Sequence, residues 1–514
     1  MAAQAAPATG EAGQKGLKSG AIGFVSGVVI GVASTAPGYS LAASLGLVVV
    51  AVGFQAPAIM WVAFVPMLFI AASYYYLNRA DPDCGTTFAW VTRAMGPYWG
   101  WIGGWGIVVA DIIVMANLAE IASIYTFELF GIKDASTWAV LAIGVAWIVV
   151  MTWVTWRGIE LSARTQLFLL GAEIAALVLF SVVALVRVLF MDVPGSVTPS
   201  LSWLNPLAIH GSDGSSAVQA FTAGLLVTLF IYWGWDSTVT VNEETKDSTE
   251  APGRAAIWST IILLLIYVVV SVAAMAFAGP VFLAENSDDV LGALSTDVLG
   301  PLSFVLIIAV LTSAAASTQT TILPTARTML SMGAKGAIPG YWAKIHPRYL
   351  TPGPATLWMG ALSIFWYVGL KIVSENILYD AIAALGLMIA FYYGLTGYAA
   401  VIYYRRHLLD SVKAFVMVGV APLLGALILT WALVRSAIDL ADPANSESGD
   451  SWFGYGPPLV IAVGFLVLGL VLMLVMRLTN PDFFRRRAEV VPDDIGRSVS
   501  ARGRAADASH GGES

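Results

Sequence analysis

Twelve apolar stretches, each long enough to cross a bilayer as a helix and nearly free of charge, fill most of this chain. They fall at 20–46, 54–77, 97–127, 136–156, 162–190, 217–241, 255–279, 299–331, 354–373, 378–404, 413–435 and 456–478. Inside a bilayer every backbone N–H and C=O must be paired within the chain, so only helices and closed barrels span it. A barrel shows short alternating segments instead of long apolar runs. Only 11% of the 514 residues are charged, against roughly a quarter in a soluble domain. The pattern predicts an all-α polytopic membrane protein with twelve transmembrane helices.

Charge placement sets the expected orientation. With the N-terminus inside, 22 of the 26 Lys and Arg fall on that side, and only Lys133, Arg187, Lys371 and Arg435 fall outside. That is a strong positive-inside bias, with both termini cytoplasmic in a plasma (inner) membrane. Residues 1–19 lack the pattern of a signal peptide and read as a disordered tail, as do 479–514 with their Arg485-Arg486-Arg487 cluster. Residues 20–478 form the membrane domain. The single cysteine, Cys84, excludes an internal disulfide and a cysteine-based metal cluster. His210, His346, His407 and His510 lie in loops or tails, away from any membrane proton path.

Two of the apolar stretches are broken. Ser34-Thr35-Ala36-Pro37-Gly38-Tyr39-Ser40 interrupts the first, and Pro37 has no amide proton to continue a helix. Tyr232-Trp233-Gly234-Trp235-Asp236 interrupts the sixth, combining a helix-weakening glycine with a charge at depth. A single break reads equally as a simple kink. The pair reads differently, because each opens a block of five helices and the two blocks start on opposite sides. That describes a 5+5 inverted repeat, 20–190 and 217–404, with 413–478 appended and broken helices 1 and 6 facing each other. Amides freed from Gly38 to Leu41 at the start of the outer half-helix suit a carboxylate. Carbonyls freed before each break suit an ammonium group.

Other polar residues lie at membrane depth. Asp111 and Glu120 are nine positions apart on segment 3, hence on opposite faces, and Asn117 shares the face of Glu120. Asp111 or Asn117 is expected on the wall of the site. Glu173 sits near mid-membrane on segment 5 with no core lysine to pair with, which makes it the candidate for proton coupling or, alternatively, a structural glutamate. Thr312, Ser317 and Thr318 on segment 8 are candidate sodium ligands, or hydroxyls bonded back to their own helix. Gly96, Gly100 and Gly104 at four-residue spacing mark close helix packing.

The ordered motifs resemble the amino acid–polyamine–organocation permeases. The residues that carry the resemblance are Gly234-Trp235-Asp236 followed by Asn242-Glu243-Glu244-Thr245-Lys246, Pro252 and Arg254. With them go Arg93 to Pro97 with Gly104-Trp105, Arg157-Gly158 with Arg164 and Gln166, and Ala326-Arg327 with Met329 and Gly333. They cover segments 1 to 8. The resemblance implies a substrate site at Ser34, Thr35, Ala36, Pro37, Gly38, Tyr232, Trp233, Gly234, Trp235 and Asp236. Two departures stand out. The family's first break is usually glycine-rich, and many proton-coupled members carry a lysine on segment 5 where this chain has Glu173.

The expectation is a secondary transporter importing amino acids or related amines by alternating access, with protons, or else sodium, as coupling ion. A polyamine or organic-cation carrier and an exchanger are the alternatives; an ion channel lacks a filter-like repeat here. No nucleophile elbow, phosphate loop or metal motif points to an enzyme. Expected partners are the substrate, the coupling ion and membrane lipids, with no nucleic acid and no cofactor, in a monomer or homodimer.

Overall fold

The computed structural model describes residues 15–132, 134–211, 216–373, 377–446, 448–493, 495, 496 and 499. Lys133, His510, most of the predicted N-terminal tail and half of the predicted C-terminal tail lie outside the described residues. The described residues form α1 (Phe24–Ser34), α2 (Pro37–Val52), α3 (Ala56–Ala80), α4 (Thr87–Met95), α5 (Pro97–Leu129), α6 (Thr137–Trp156), α7 (Ile159–Phe190), α8 (Ala217–Tyr232), α9 (Ser237–Thr240), α10 (Ala251–Glu285), α11 (Val290–Leu299), α12 (Ser303–Ala334), α13 (Gly353–Val373), α14 (Ile377–Tyr404), α15 (Val412–Ala414), α16 (Ala421–Asp439), α17 (Pro457–Thr479) and α18 (Pro481–Phe484). Among the described residues extended pairing is limited to isolated bridges, one of which joins Ile22 to Thr245.

Eleven stretches are long and apolar enough to cross a membrane. The first, Phe24–Ala80, runs 57 residues and contains both α1–α2 and α3, separated by a turn at Gly53–Gln55. The helices follow the apolar runs closely. Gly279 bends α10 with a left-handed φ of 75°, just before Pro280 and at the end of the predicted seventh stretch. The Gly53 turn and the Gly279 bend have the same cause, since glycine alone adopts such angles without a Cβ clash.

Burial sorts the helices into layers. α5, α8 and α14 are mostly enclosed, whereas α6, α13 and α17 turn most of their surface outward. α5 reaches the centre because its glycines let neighbours approach: a Cβ on Gly100 would lie 1.9 Å from Thr92 Oγ1, and one on Gly104 would lie 2.9 Å from the Phe88 Cβ. Gly96 does a different job from its two partners. It has φ +99°, a Cβ there would meet nothing within 4 Å, and it turns the chain from α4 into α5.

The ends are more ordered than expected. Leu17 is fully buried beside Cys84 and Leu330, so 15–19 is packed chain. Phe483 and Phe484 are buried, Glu489 N donates to Arg93 O, and Val491 N donates to Tyr403 O. An apolar side chain every few residues gives these tail segments something to bury, which composition over the whole tail conceals.

Candidate functional site

Both predicted breaks are present, and they abut. α1 ends at Ser34, Thr35 remains near-helical, and Ala36 turns left-handed at φ 47° and ψ 64°. Pro37 then occupies the first position of α2, where its missing N–H costs nothing and its fixed φ suits the new helix. Pro37 therefore starts a helix here; the strain falls on Ala36, where most chains would place glycine. In the second break α8 ends at Tyr232, Trp233 is extended, and Gly234 has φ 116°. A Cβ on Gly234 would lie 2.7 Å from Ser34 O, so the two interruptions meet backbone to backbone. The Ser34 and Ser237 hydroxyls, 203 residues apart in sequence, hydrogen-bond at 2.7 Å.

The freed backbone groups already have partners, which differs from the sequence expectation. Gly38 N donates to Glu173 Oε1 at 2.7 Å, and Tyr39 N donates to Ser313 Oγ at 3.0 Å. Ser313 Oγ donates in turn to Glu173 Oε1 at 2.8 Å. On the carbonyl side, Ser34 O accepts from Ser317 Oγ at 2.8 Å and Thr35 O accepts from Ser40 Oγ at 2.7 Å. Ile231 O accepts from the Tyr267 hydroxyl. In a core short of water, exposed amides and carbonyls are costly, and nearby hydroxyls take them up. Glu173 is fully buried on the N-terminal end of α2, and its Oε2 has no partner among the described residues.

Asp236 occupies a second, aromatic setting. It accepts from the Tyr393 hydroxyl at 2.8 Å and from that of Tyr392 at 3.3 Å. Trp233 Nε1 donates to Tyr392 Oη. The rings of Tyr74, Trp235 and Tyr393 pack around it, with centroids 5.1 to 6.0 Å apart. Buried Trp235 Nε1 and Asn117 Nδ2 have no partner among the described residues.

The remaining predicted residues divide. Asp111 accepts from Thr325 Oγ1 at 2.5 Å, toward α12, whereas Glu120 meets Lys371 Nζ at 2.7 Å and the Tyr367 hydroxyl, toward α13. The two acids face apart, as their nine-residue spacing requires. Thr312 and Thr318 donate to carbonyls of their own helix, so of the proposed sodium set only Ser317 reaches the break. Ser313 was missed as a site residue. It lies four positions before Ser317, one turn away on the same face of α12, and that spacing was available in the sequence.

On the face that carries the chain ends, a network of charges closes over α9 and the α3–α4 turn. Arg327 and Glu244 form a fully buried pair at 2.6 Å. Asp83 meets Lys15 at 3.0 Å and Lys335 at 2.8 Å, and Lys15 also meets Glu243. Burial pushes the Asp83 carboxyl up, but the Lys335 and Lys15 ammoniums override it and hold it well below the usual carboxylate range. Asp83, Cys84 and Glu243 come within metal-binding distance of one another, yet the Lys15 ammonium fills the space between them.

The family model described as amino acid permease matches residues 19–476. An uncharacterised transporter of Mycobacterium tuberculosis is 27% identical over 417 residues, covering 81% of this chain and 87% of that protein. The mouse Asc-type amino acid transporter 1 is 26% identical over 306 residues, 58% of this chain and 55% of its own length. A branched-chain amino acid permease of Lactococcus lactis is 22% identical over 319 residues, 59% and 66% respectively.

Proposed function

From the premise that this chain belongs to the amino acid permease family, a family of transporters and not of enzymes, we propose that it is a proton-coupled carrier of amino acids or related amines. It works by alternating access, with its substrate between the two helix breaks. The chain crosses the membrane twelve times, counting two crossings in the first 57-residue stretch, as two inverted five-helix units plus two helices. The arginine- and lysine-rich face, with both termini, is cytoplasmic in the plasma membrane.

The observation that carries this reading is the position of Glu173. Its carboxylate accepts from Gly38 N, the first free amide of α2, and from the Ser313 hydroxyl, where a helix N-terminus best holds an anion. An amino acid's carboxylate competes for those same donors. Once displaced, Glu173 has no cation within ion-pair reach among the described residues, so it takes up a proton in preference to lying bare in a dry core. Substrate and proton are thereby loaded together, and release reverses both. The ammonium end lies against the aromatic faces of Tyr74, Trp235 and Tyr393 by cation–π attraction, and the nearby Asp236 charge adds to this hold without being required for a neutral amino acid. Asp111 and Asn117 lie on the flanking wall from α5.

The acidic and aromatic setting of Asp236 also favours a second reading, a carrier of diamines or other organic cations. Counterflow in proteoliposomes separates the two. Accelerated exchange of a labelled neutral amino acid that survives Asp236→Asn supports the first reading. Exchange of a diamine that Asp236→Asn abolishes supports the second. Equal survival of both substrates removes Asp236 from the site, and unitary currents in place of counterflow overturn the carrier altogether.

A further inference from the structure

Away from the breaks, the basic face holds a cavity of about 400 Å3 between the N-terminal segment, the α6–α7 turn and the α12–α13 loop. Its walls carry Lys18, Arg157, Arg164 and Arg348, with Glu160 the one acidic side chain among them. Glu160 is already engaged by Lys18 Nζ at 2.8 Å. The three guanidiniums have no carboxylate within ion-pair distance among the described residues. Two of them lie over aromatic faces: Arg157 over Trp153 and Tyr349 at 5.1 and 5.2 Å, and Arg348 over Tyr349 at 5.5 Å.

The loop that carries Arg348 is fixed by its own hydrogen bonds. His346 Nδ1 accepts from the backbone N–H groups of Arg348 and Tyr349, both at 3.2 Å. Thr351 Oγ1 donates to Trp156 O at 2.9 Å and ties this loop to the end of α6. Across the cavity, α7 begins at Ile159 with Gly158 as its N-cap and no side chain capping its first amides. A 32-residue helix thus directs its positive end toward a space already lined with cations. The other basic cavity on this face, about 330 Å3 beside Arg93 and Lys335, is different. There Arg93 meets Asp81 at 2.9 Å, Lys335 meets Asp83 at 2.8 Å and Arg486 donates to Lys335 O, so two of its four cations are already paired with carboxylates.

We propose that the cavity at Arg157, Arg164 and Arg348 binds a phosphate group, supplied by the headgroup of an anionic phospholipid. Guanidinium forks match phosphate oxygens two at a time, and three forks lining one cavity suit a tetrahedral anion better than a flat carboxylate. The lipid source is favoured by what lies next along α7. Leu161, Leu167 and Phe168 are exposed on its outer surface, which places an apolar flank for acyl chains directly beside the cationic cavity. Basic pockets of this kind, on the face turned to the anionic leaflet, are where such headgroups bind. The choice of leaflet rests on the orientation proposed above; the site itself does not. A bound phosphate also draws Lys18, only a few residues before α1, and so ties the lead-in of the first broken helix to α7.

The test uses the full chain purified in an uncharged detergent, read by thermal unfolding and native mass spectrometry. Short-chain phosphatidylglycerol should raise the unfolding temperature and give a retained lipid adduct, while phosphatidylcholine should do neither. Arg157→Gln with Arg348→Gln should weaken phosphatidylglycerol binding at least about tenfold. Should the double variant not fold, Arg348→Gln alone, on an exposed loop, and Arg164→Gln serve the same purpose. Inorganic phosphate is the second arm. An arginine-dependent stabilisation by phosphate, with no further gain from the lipid, keeps the phosphate site and overturns the lipid source. A phosphatidylglycerol effect unchanged in every one of these variants overturns the site. None of these readings involves transport, so failure here leaves the proposed carrier mechanism standing, and the reverse.

Discussion

Replacing Glu173 separates its two proposed roles, as cap and as proton carrier. Glu173 Oε1 takes two donors, Gly38 N at 2.7 Å and Ser313 Oγ at 2.8 Å. Glu173→Ala strands both in a fully buried site, at about 1–3 kcal/mol each, or ~2–6 kcal/mol in all. Glu173→Gln keeps an acceptor for both and instead places an amide N–H2 where Oε2 has no partner, at ~1–3 kcal/mol. Thermal unfolding should therefore rank wild type above Gln and Gln above Ala. Transport reads the second role. For a neutral zwitterion with the membrane potential clamped, one proton per substrate makes each pH unit worth ~1.4 kcal/mol, a tenfold accumulation. Wild-type proteoliposomes should reach about that ratio. Glu173→Gln should not exceed unity under the same gradient, while still exchanging labelled substrate. A tenfold ratio retained by Glu173→Gln would falsify the coupling role, and a Glu173→Ala protein as stable as wild type would refute the cap.

Further outcomes follow from the same geometry. Arg327→Gln leaves Glu244 buried and unpaired and should cost about 3–5 kcal/mol, most of it recovered by adding Glu244→Gln; a double-mutant cycle without coupling contradicts this. Gly234→Ala forces a Cβ to 2.7 Å from Ser34 O at a left-handed φ, and should lose roughly 2–6 kcal/mol together with substrate binding, read by unfolding and counterflow. Asp83 is held below its ordinary range, so its contribution is complete above about pH 4 and fades as pH falls further. The stability gap between wild type and Asp83→Asn in detergent should accordingly be constant from pH 5 to 8 and shrink toward pH 3.

Much of the architecture was legible in one dimension because the bilayer acts on every residue of a spanning segment at once. Twenty consecutive apolar residues leave few alternatives, which is why the helices sit where the apolar runs lie. The breaks were visible for the same reason, since Pro37 and Gly234 interrupt runs in which little else does. Less legible were features that depend on one or two side chains in a polar context. Leu17 and Phe484 order segments whose composition reads as tail. Thr312, Ser317 and Thr318 look alike in sequence, and only helix phase separates the hydroxyl that crosses to the break from the two that fold back on their own helix.

The sequence by itself determined the helices, the two interruptions, and the presence of an acid at mid-membrane depth. Each is a local property of chain in lipid, set by hydropathy, by a missing amide proton or by a missing Cβ. What only the tertiary structure decided is what those interruptions touch. Residues 38, 173 and 313 come from α2, α7 and α12, and no local rule brings the first and last within 3 Å of the Glu173 carboxylate. Their meeting answers a demand that is global in the fold: backbone freed inside a dry core must find partners wherever the packing can bring them. That demand turned the acid on α7 from an isolated charge into the cap of the first broken helix.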